Sequence, residues 1–180
     1  MNRSKNNTLL KMVLCAMYAS LCCVATMIVQ IPTPTGGFLN LGDAVVIMSA
    51  FTLGPVYGAI AAGLGSALAD IFAGYVQYAP ATFVIKALMA LCVCLVLKLA
   101  NNIVVKKPAL FMIFIALGGI LAEIVMIAGY FIFESTLLGY GWGALASVPA
   151  NAIQGAAGIV AGTLLSELMR RTKLKEKFIK

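Results

Sequence analysis

The sequence predicts an all-α membrane protein, a six-transmembrane-helix bundle with a short second helix and with the N and C termini cytoplasmic. Three observations carry this. Of 180 residues, 62% are hydrophobic and 11% charged, about half the charged share of a soluble domain. The apolar residues fall in runs near the ~20 residues that cross a bilayer. Lys and Arg gather on one side of those runs, the asymmetry that orients membrane proteins.

The first span, 9–29, follows Arg3, Lys5 and Lys11. It is long for a signal peptide and no small-x-small cleavage site follows, so it reads as a retained first helix. Pro32, Pro34, Gly36 and Gly37 end it in a loop. A second span, 43–53, is short and stops at Gly54-Pro55. The third, 56–73, carries Gly58, Ala62, Gly65, Ser66 and Ala69, small residues that let helices approach closely in lipid. The remaining spans are 81–99, 109–131 and 148–168, completing a single integral membrane domain over 1–180.

With both termini inside, every Lys and Arg except Lys86 is cytoplasmic, twelve of the 13. The net charge of +7 then orients the chain and touches anionic lipid; no nucleic-acid partner is needed. The outward loops are expected to carry only acidic charge, at Asp43, Asp70 and Glu134.

Several chemistries are excluded. There is no His, hence no imidazole base and no His-based zinc or haem site. No Gly-x-x-x-x-Gly-Lys-Ser/Thr loop occurs, so the chain does not hydrolyse ATP itself. Cys15, Cys22, Cys23, Cys92 and Cys94 lie in apolar runs and read as small apolar filler. Neither a metal nor a cofactor is expected.

An ionisable or amide side chain within a span is costly and therefore a functional candidate. Asn151 and Gln154 open a stripe continued by Gly155, Gly158 and Gly162. Glu123 and Tyr130, seven apart, share a helix face. At ~1.5 Å per residue, Lys86, Glu123 and Asn151 lie at one depth in the outer third. Asp70, Tyr75, Gln77 and Tyr78 join from the loop between spans three and four. Asn40 and Asp43 join from the first outer loop, with Gly36, Gly37 and Gly42 as hinges. Aromatic faces with a few directed polar groups suit a small planar heterocycle, and a carboxylate can pair with a ring nitrogen or amine.

Each group also has a structural reading. Lys86 and Glu123 could neutralise each other. Asn151 and Gln154 could join helices. Tyr75, Tyr78 and Trp142 could belong to the interfacial aromatic belt, and Asp43 and Asp70 could cap helices. On the first helix, Cys15, Ala16, Ala19, Ser20 and Cys23 form a small-residue ridge, for internal packing or for docking another membrane protein.

Together, Asn40-Leu41-Gly42-Asp43-Ala44, Leu53-Gly54-Pro55, Gly65-Ser66-Ala67-Leu68-Ala69-Asp70, Tyr78-Ala79-Pro80-Ala81-Thr82, Lys86 and Asn151-x-x-Gln154 resemble the substrate-binding S components of energy-coupling factor (ECF) vitamin transporters. The resemblance covers nearly the whole chain. It is most similar to S components for hydroxymethylpyrimidine, a thiamin precursor, or pyridoxine. It implies a multi-pass protein of the bacterial cell membrane that captures its vitamin at the extracellular face. It also implies partners, a transmembrane coupling subunit and two ATPase subunits, onto which the S component docks before toppling and releasing its ligand inward. The docking ridge would be Ala16 and Ser20, with Ser where the family has a second Ala.

Riboflavin-type S components share the fold but call for a larger apolar slot. A stand-alone channel would need polar residues reaching the inner surface, where the sequence is apolar. A membrane enzyme would have only Asp43 and Asp70 to work with.

Overall fold

The computed structural model describes residues 3–33, 35 and 37–172, with side chains from Thr8 onward. The side chains of Arg3 and Lys5, residues Pro34 and Gly36, and the basic residues Lys173, Lys175, Lys177 and Lys180 lie outside the described residues.

Five helices follow one another: α1 (Arg3–Ile28), α2 (Gly42–Phe72), α3 (Ala79–Lys106), α4 (Phe111–Thr136) and α5 (Val148–Arg171). Each lies in a segment long and apolar enough to cross a membrane. Between α1 and α2 a two-residue hairpin pairs β1 (Ile31–Pro32) with β2 (Phe38–Leu39). Short 3-10 turns precede α4 and α5.

The outside of the bundle is the apolar side. Val56, Ile60, Leu64 and Leu68 line the exposed face of α2, and Val84, Leu88, Leu91 and Leu95 that of α3. Asp43, Lys86, Glu123 and Gln154 are buried. Water would favour the reverse; lipid favours this arrangement, because it solvates apolar side chains and leaves polar ones to find partners inside the bundle.

One helix is broken. Gly54 has φ +79, a conformation that costs glycine little, and Pro55 follows with no N–H to continue the helical ladder. Ser49 Oγ donates to the Gly58 carbonyl at 3.4 Å. Cys22 Sγ of α1 lies 3.9 Å from the Gly42 carbonyl and 3.3 Å from Ser66 Oγ. A straight helix would hold residues 42 and 66 about 36 Å apart, so the chain doubles back at Gly54. The halves 42–53 and 55–72 lie side by side.

This reversal sorts the ends of the bundle. Pro55 shares a groove with Lys98, Phe51 packs against Phe111, and Arg170 lies 5.0 Å over the Phe111 ring while binding Glu167 at 2.7 and 2.8 Å. That is the basic end. The connections 29–41, 73–78 and 137–147 meet at the opposite end. Between the two, Ile47, Met89, Val93 and Ile115 form a dry core.

Some sequence expectations change. The expected fourth and fifth spans lengthen: α3 continues past Leu99 to Lys106, and α4 continues past Phe131 to Thr136. Asp43, Asp70 and Glu134 were expected in outward loops; all three lie inside helices and are buried. Gly42 is not a hinge: it sits in the first turn of α2 hard against Thr26 of α1, where no side chain fits.

Candidate functional site

At the loop end a cavity of about 30 Å³, room for one or two waters, is lined by the 29–41 and 73–78 connections and by α2 to α5. Seven of the expected residues form its wall: Asn40, Asp70, Tyr75, Tyr78, Tyr130, Asn151 and Gln154. Four residues that the sequence did not single out as binding groups join them, Thr33, Gly37, Phe38 and Thr82, as does Glu134. Gln77 is exposed outside it.

The wall is aromatic on one side. Tyr75 stacks on Phe38 with ring centres 4.9 Å apart, and Tyr78 contacts Tyr75, Tyr130 and Phe133 at 6.5, 6.4 and 5.4 Å. These rings pack against one another, so Tyr75 and Tyr78 act here as wall rather than as lipid-facing belt. Trp142, 82% exposed, fits the belt. Tyr130 shares a hydrogen bond with Thr82 at 3.0 Å.

Glu134 ties the mouth together. Its Oε1 accepts from Thr35 Oγ1 at 2.9 Å and from the Tyr78 hydroxyl at 3.2 Å; its Oε2 accepts from Ser147 Oγ at 2.5 Å. The Tyr78 hydroxyl also lies 2.9 Å from the Thr35 carbonyl. Burial, with the Glu134 charge behind it, pushes the Tyr78 phenol well above its ordinary pKa, which keeps it a donor. Three segments far apart in sequence are thus joined at one carboxylate. The clue available beforehand was an acid two residues before Thr136 in an apolar run, which alone cannot reveal its partners.

Beneath the cavity lies a buried polar layer. Lys86 Nζ pairs with Asp43 Oδ1, and Gln154 Nε2 donates to Asp43 Oδ2 at 2.6 Å. Gln154 Oε1 in turn accepts from the Asn40 backbone N–H at 2.8 Å, and Asn40 Oδ1 accepts from the Gly42 N–H at 2.9 Å. The expected Lys86–Glu123 neutralisation does not form: the folded-back start of α2 brings Asp43 to Lys86 instead. Asp43 does not cap its helix, which has no side-chain cap. Glu123 is 4% exposed, and neither of its oxygens has a hydrogen-bond partner among the described residues. It stands beside Gly158, which Asp43 flanks as well. Asp43, Lys86 and Glu123 therefore lie behind the cavity wall, not in it.

Asn151 and Gln154 do different things. Gln154 is bonded on both amide atoms, whereas the Asn151 side chain faces the cavity, 7% exposed, with no hydrogen bond among the described residues. The helix-joining role suits Gln154 alone.

The small-residue ridge on α1 also divides. Cys15, Ala19 and Cys23 are buried, with Ala19 and the neighbouring Cys22 against Gly65 of α2. Ala16 and Ser20 face outward and line an apolar groove with Val13, Met17, Leu21, Met48 and Met169. Ser20 Oγ donates to the Ala16 carbonyl at 3.0 Å, so its hydroxyl is satisfied within the helix and its face is effectively apolar.

Known proteins match this chain over most of its length. A model of the family described as "ECF-type riboflavin transporter, S component" matches residues 6–171. An uncharacterized protein in the gap 3' region of Pyrococcus woesei is 36% identical over 149 residues, 82% of this chain and 93% of its own. The thiamine precursor transporter HmpT of Lactococcus lactis subsp. cremoris (strain MG1363) is 29% identical over 178 residues, 97% of this chain and 96% of its own.

Proposed function

Because this chain belongs to the S-component family of ECF-type transporters, we propose that it captures hydroxymethylpyrimidine or pyridoxine at the extracellular end and delivers it inward. The chain is a multi-pass membrane protein of vitamin uptake and not an enzyme. In this reading it crosses the membrane six times, the two halves of α2 each making one crossing, with the basic end and both termini in the cytoplasm. Energy comes from outside the chain, from a transmembrane coupling subunit and two ATPase subunits that dock on the Ala16–Ser20 face. The small-molecule pocket is Asn40, Asp70, Tyr75, Tyr78, Tyr130, Asn151 and Gln154, held from behind by Asp43, Lys86 and Glu123.

The observation that carries this reading is the convergence of two loop-end connections, 29–41 and 73–78, with α2 to α5 on one aromatic and polar cavity. The cavity is narrow, so room for a ring compound requires breaking contacts such as Thr35 Oγ1 to Glu134. A dry core of Ile47, Met89, Val93 and Ile115 below it speaks against a stand-alone channel, which needs a polar path to the inner surface. Riboflavin is the second reading, favoured by the description of the matched family. Its fused three-ring system demands a wider apolar slot than this polar wall supplies.

Mass spectrometry of the small molecule that copurifies with detergent-solubilised protein tests the proposal. A pyrimidine or pyridine vitamin compound is the expected result. Riboflavin would move the assignment to the second reading, and no retained compound, with no binding of any of the three by calorimetry, would overturn it.

A further inference from the structure

Two carboxylates line the cavity, Asp70 and Glu134, and no Lys or Arg does so among the described residues. The two carboxylates differ in what occupies them. Glu134 accepts three hydroxyl donors. Asp70 is 6% exposed; the Thr82 hydroxyl serves its carboxylate, but Oδ2 has no hydrogen-bond partner among the described residues. The cationic Lys86 pairs elsewhere, with Asp43.

A buried acceptor without a donor is destabilising, more so when charged. Removing that cost requires a donor delivered from the cavity. The remaining wall, Tyr75, Tyr78 and Tyr130, offers π faces to a flat ring. A ring seated there with an N–H group on its edge would satisfy Asp70.

We propose that Asp70 is the specificity-determining residue of this pocket, selecting an amino-substituted nitrogen heteroaromatic ring by accepting its exocyclic N–H at Oδ2. This rests on the capture role proposed above and sharpens it from two vitamins to one chemical class. The same two carboxylates, with no cation in the described wall, turn away ligands bearing a phosphate or carboxylate, since like charges repel when brought together.

Calorimetry on the detergent-solubilised full chain tests it with four compounds: 4-amino-5-hydroxymethyl-2-methylpyrimidine, its des-amino counterpart, its phosphate monoester, and pyridoxine. A hydrogen bond to a charged group carries about 10- to 100-fold in affinity. The amino compound is expected to bind that much more tightly than the des-amino ring and pyridoxine, and the phosphate ester at least ~100-fold more weakly. Asp70→Leu is expected to bring the amino and des-amino rings within about 3-fold of each other. Equal affinity of the parent for those two rings, tighter binding of pyridoxine, or a preference that survives in Asp70→Leu overturns the role of Asp70 while leaving vitamin capture standing. If the variant does not fold, the parent series decides alone. A parent that binds none of the four and none of the flavins overturns the capture reading itself.

Discussion

The two ends of this bundle solve opposite problems with the same helices. Toward the Gly54–Pro55 turn, helices interlock mainly through apolar side chains such as Met89, Val93 and Ile115, and buried hydroxyls such as Ser49 and Thr52 bond to backbone carbonyls of α2. Toward the loops, the buried groups are Asp43, Lys86, Asp70, Glu123, Glu134, Asn151 and Gln154. In lipid, shape packing holds helices together cheaply, whereas individual polar contacts between helices average only ~0.6 kcal/mol. Stability alone would not favour seven polar groups at one end. Their concentration is what supports the proposal that this end captures the ligand, with the more apolar end as the barrier below it.

Within the polar end the groups are again unequal, and substitutions separate them. The largest effect is expected from Lys86→Met. Removing one partner of a buried ion pair leaves Asp43 charged and unpaired, a loss of about 3–5 kcal/mol. Thermal unfolding in detergent should show a steep drop, largely restored by combining Lys86→Met with Asp43→Asn. A stable single variant would mean that the layer behind the cavity is not structural.

Asn151→Ala comes next. Its amide faces the cavity and bonds to nothing in the described fold, so stability should change by less than ~1 kcal/mol while vitamin affinity falls about 10-fold. Glu123→Gln is its companion: Glu123 lies behind the wall with both oxygens unpartnered, so folding should change little, and binding should weaken less than in Asn151→Ala because Glu123 acts only through the wall in front of it. If both bind as the parent does, the ligand sits elsewhere.

The smallest effect on fold and binding is expected from Ala16→Leu or Ser20→Leu. Both residues are exposed on a groove remote from the cavity, and surface changes of this kind fall within about 0.5 kcal/mol. Vitamin binding should be unchanged, while uptake by the complete transporter should be lost if this face docks the coupling subunit. Unimpaired uptake would remove that role.

Much of the site was legible in the sequence because the bilayer penalises polar residues so heavily. Asn151, Gln154 and the Gly155, Gly158 and Gly162 that follow them read as one buried stripe, and all five are buried. Glu134 was legible as an acid but not as a junction. Its donors come from Thr35 and Tyr78, separated from it by 99 and 56 residues, and no local pattern specifies such pairs. The ridge on α1 was visible as a ridge, yet which of its residues faced inward depended on where α2 packs.

Hydropathy and charge order along the chain were enough to specify membrane helices, the break at Gly54-Pro55 and the set of polar side chains that lipid cannot accommodate. Those are local properties, each set by the transfer free energy of a residue or by the backbone freedom of a dipeptide. Partnership was decided only by the tertiary structure: Asp43 rather than Glu123 for Lys86, Glu134 for three hydroxyls, and no donor for Oδ2 of Asp70 among the described residues. Ion pairs and hydrogen bonds act over a few ångströms, and it is the reversal of α2 that sets which groups lie that close.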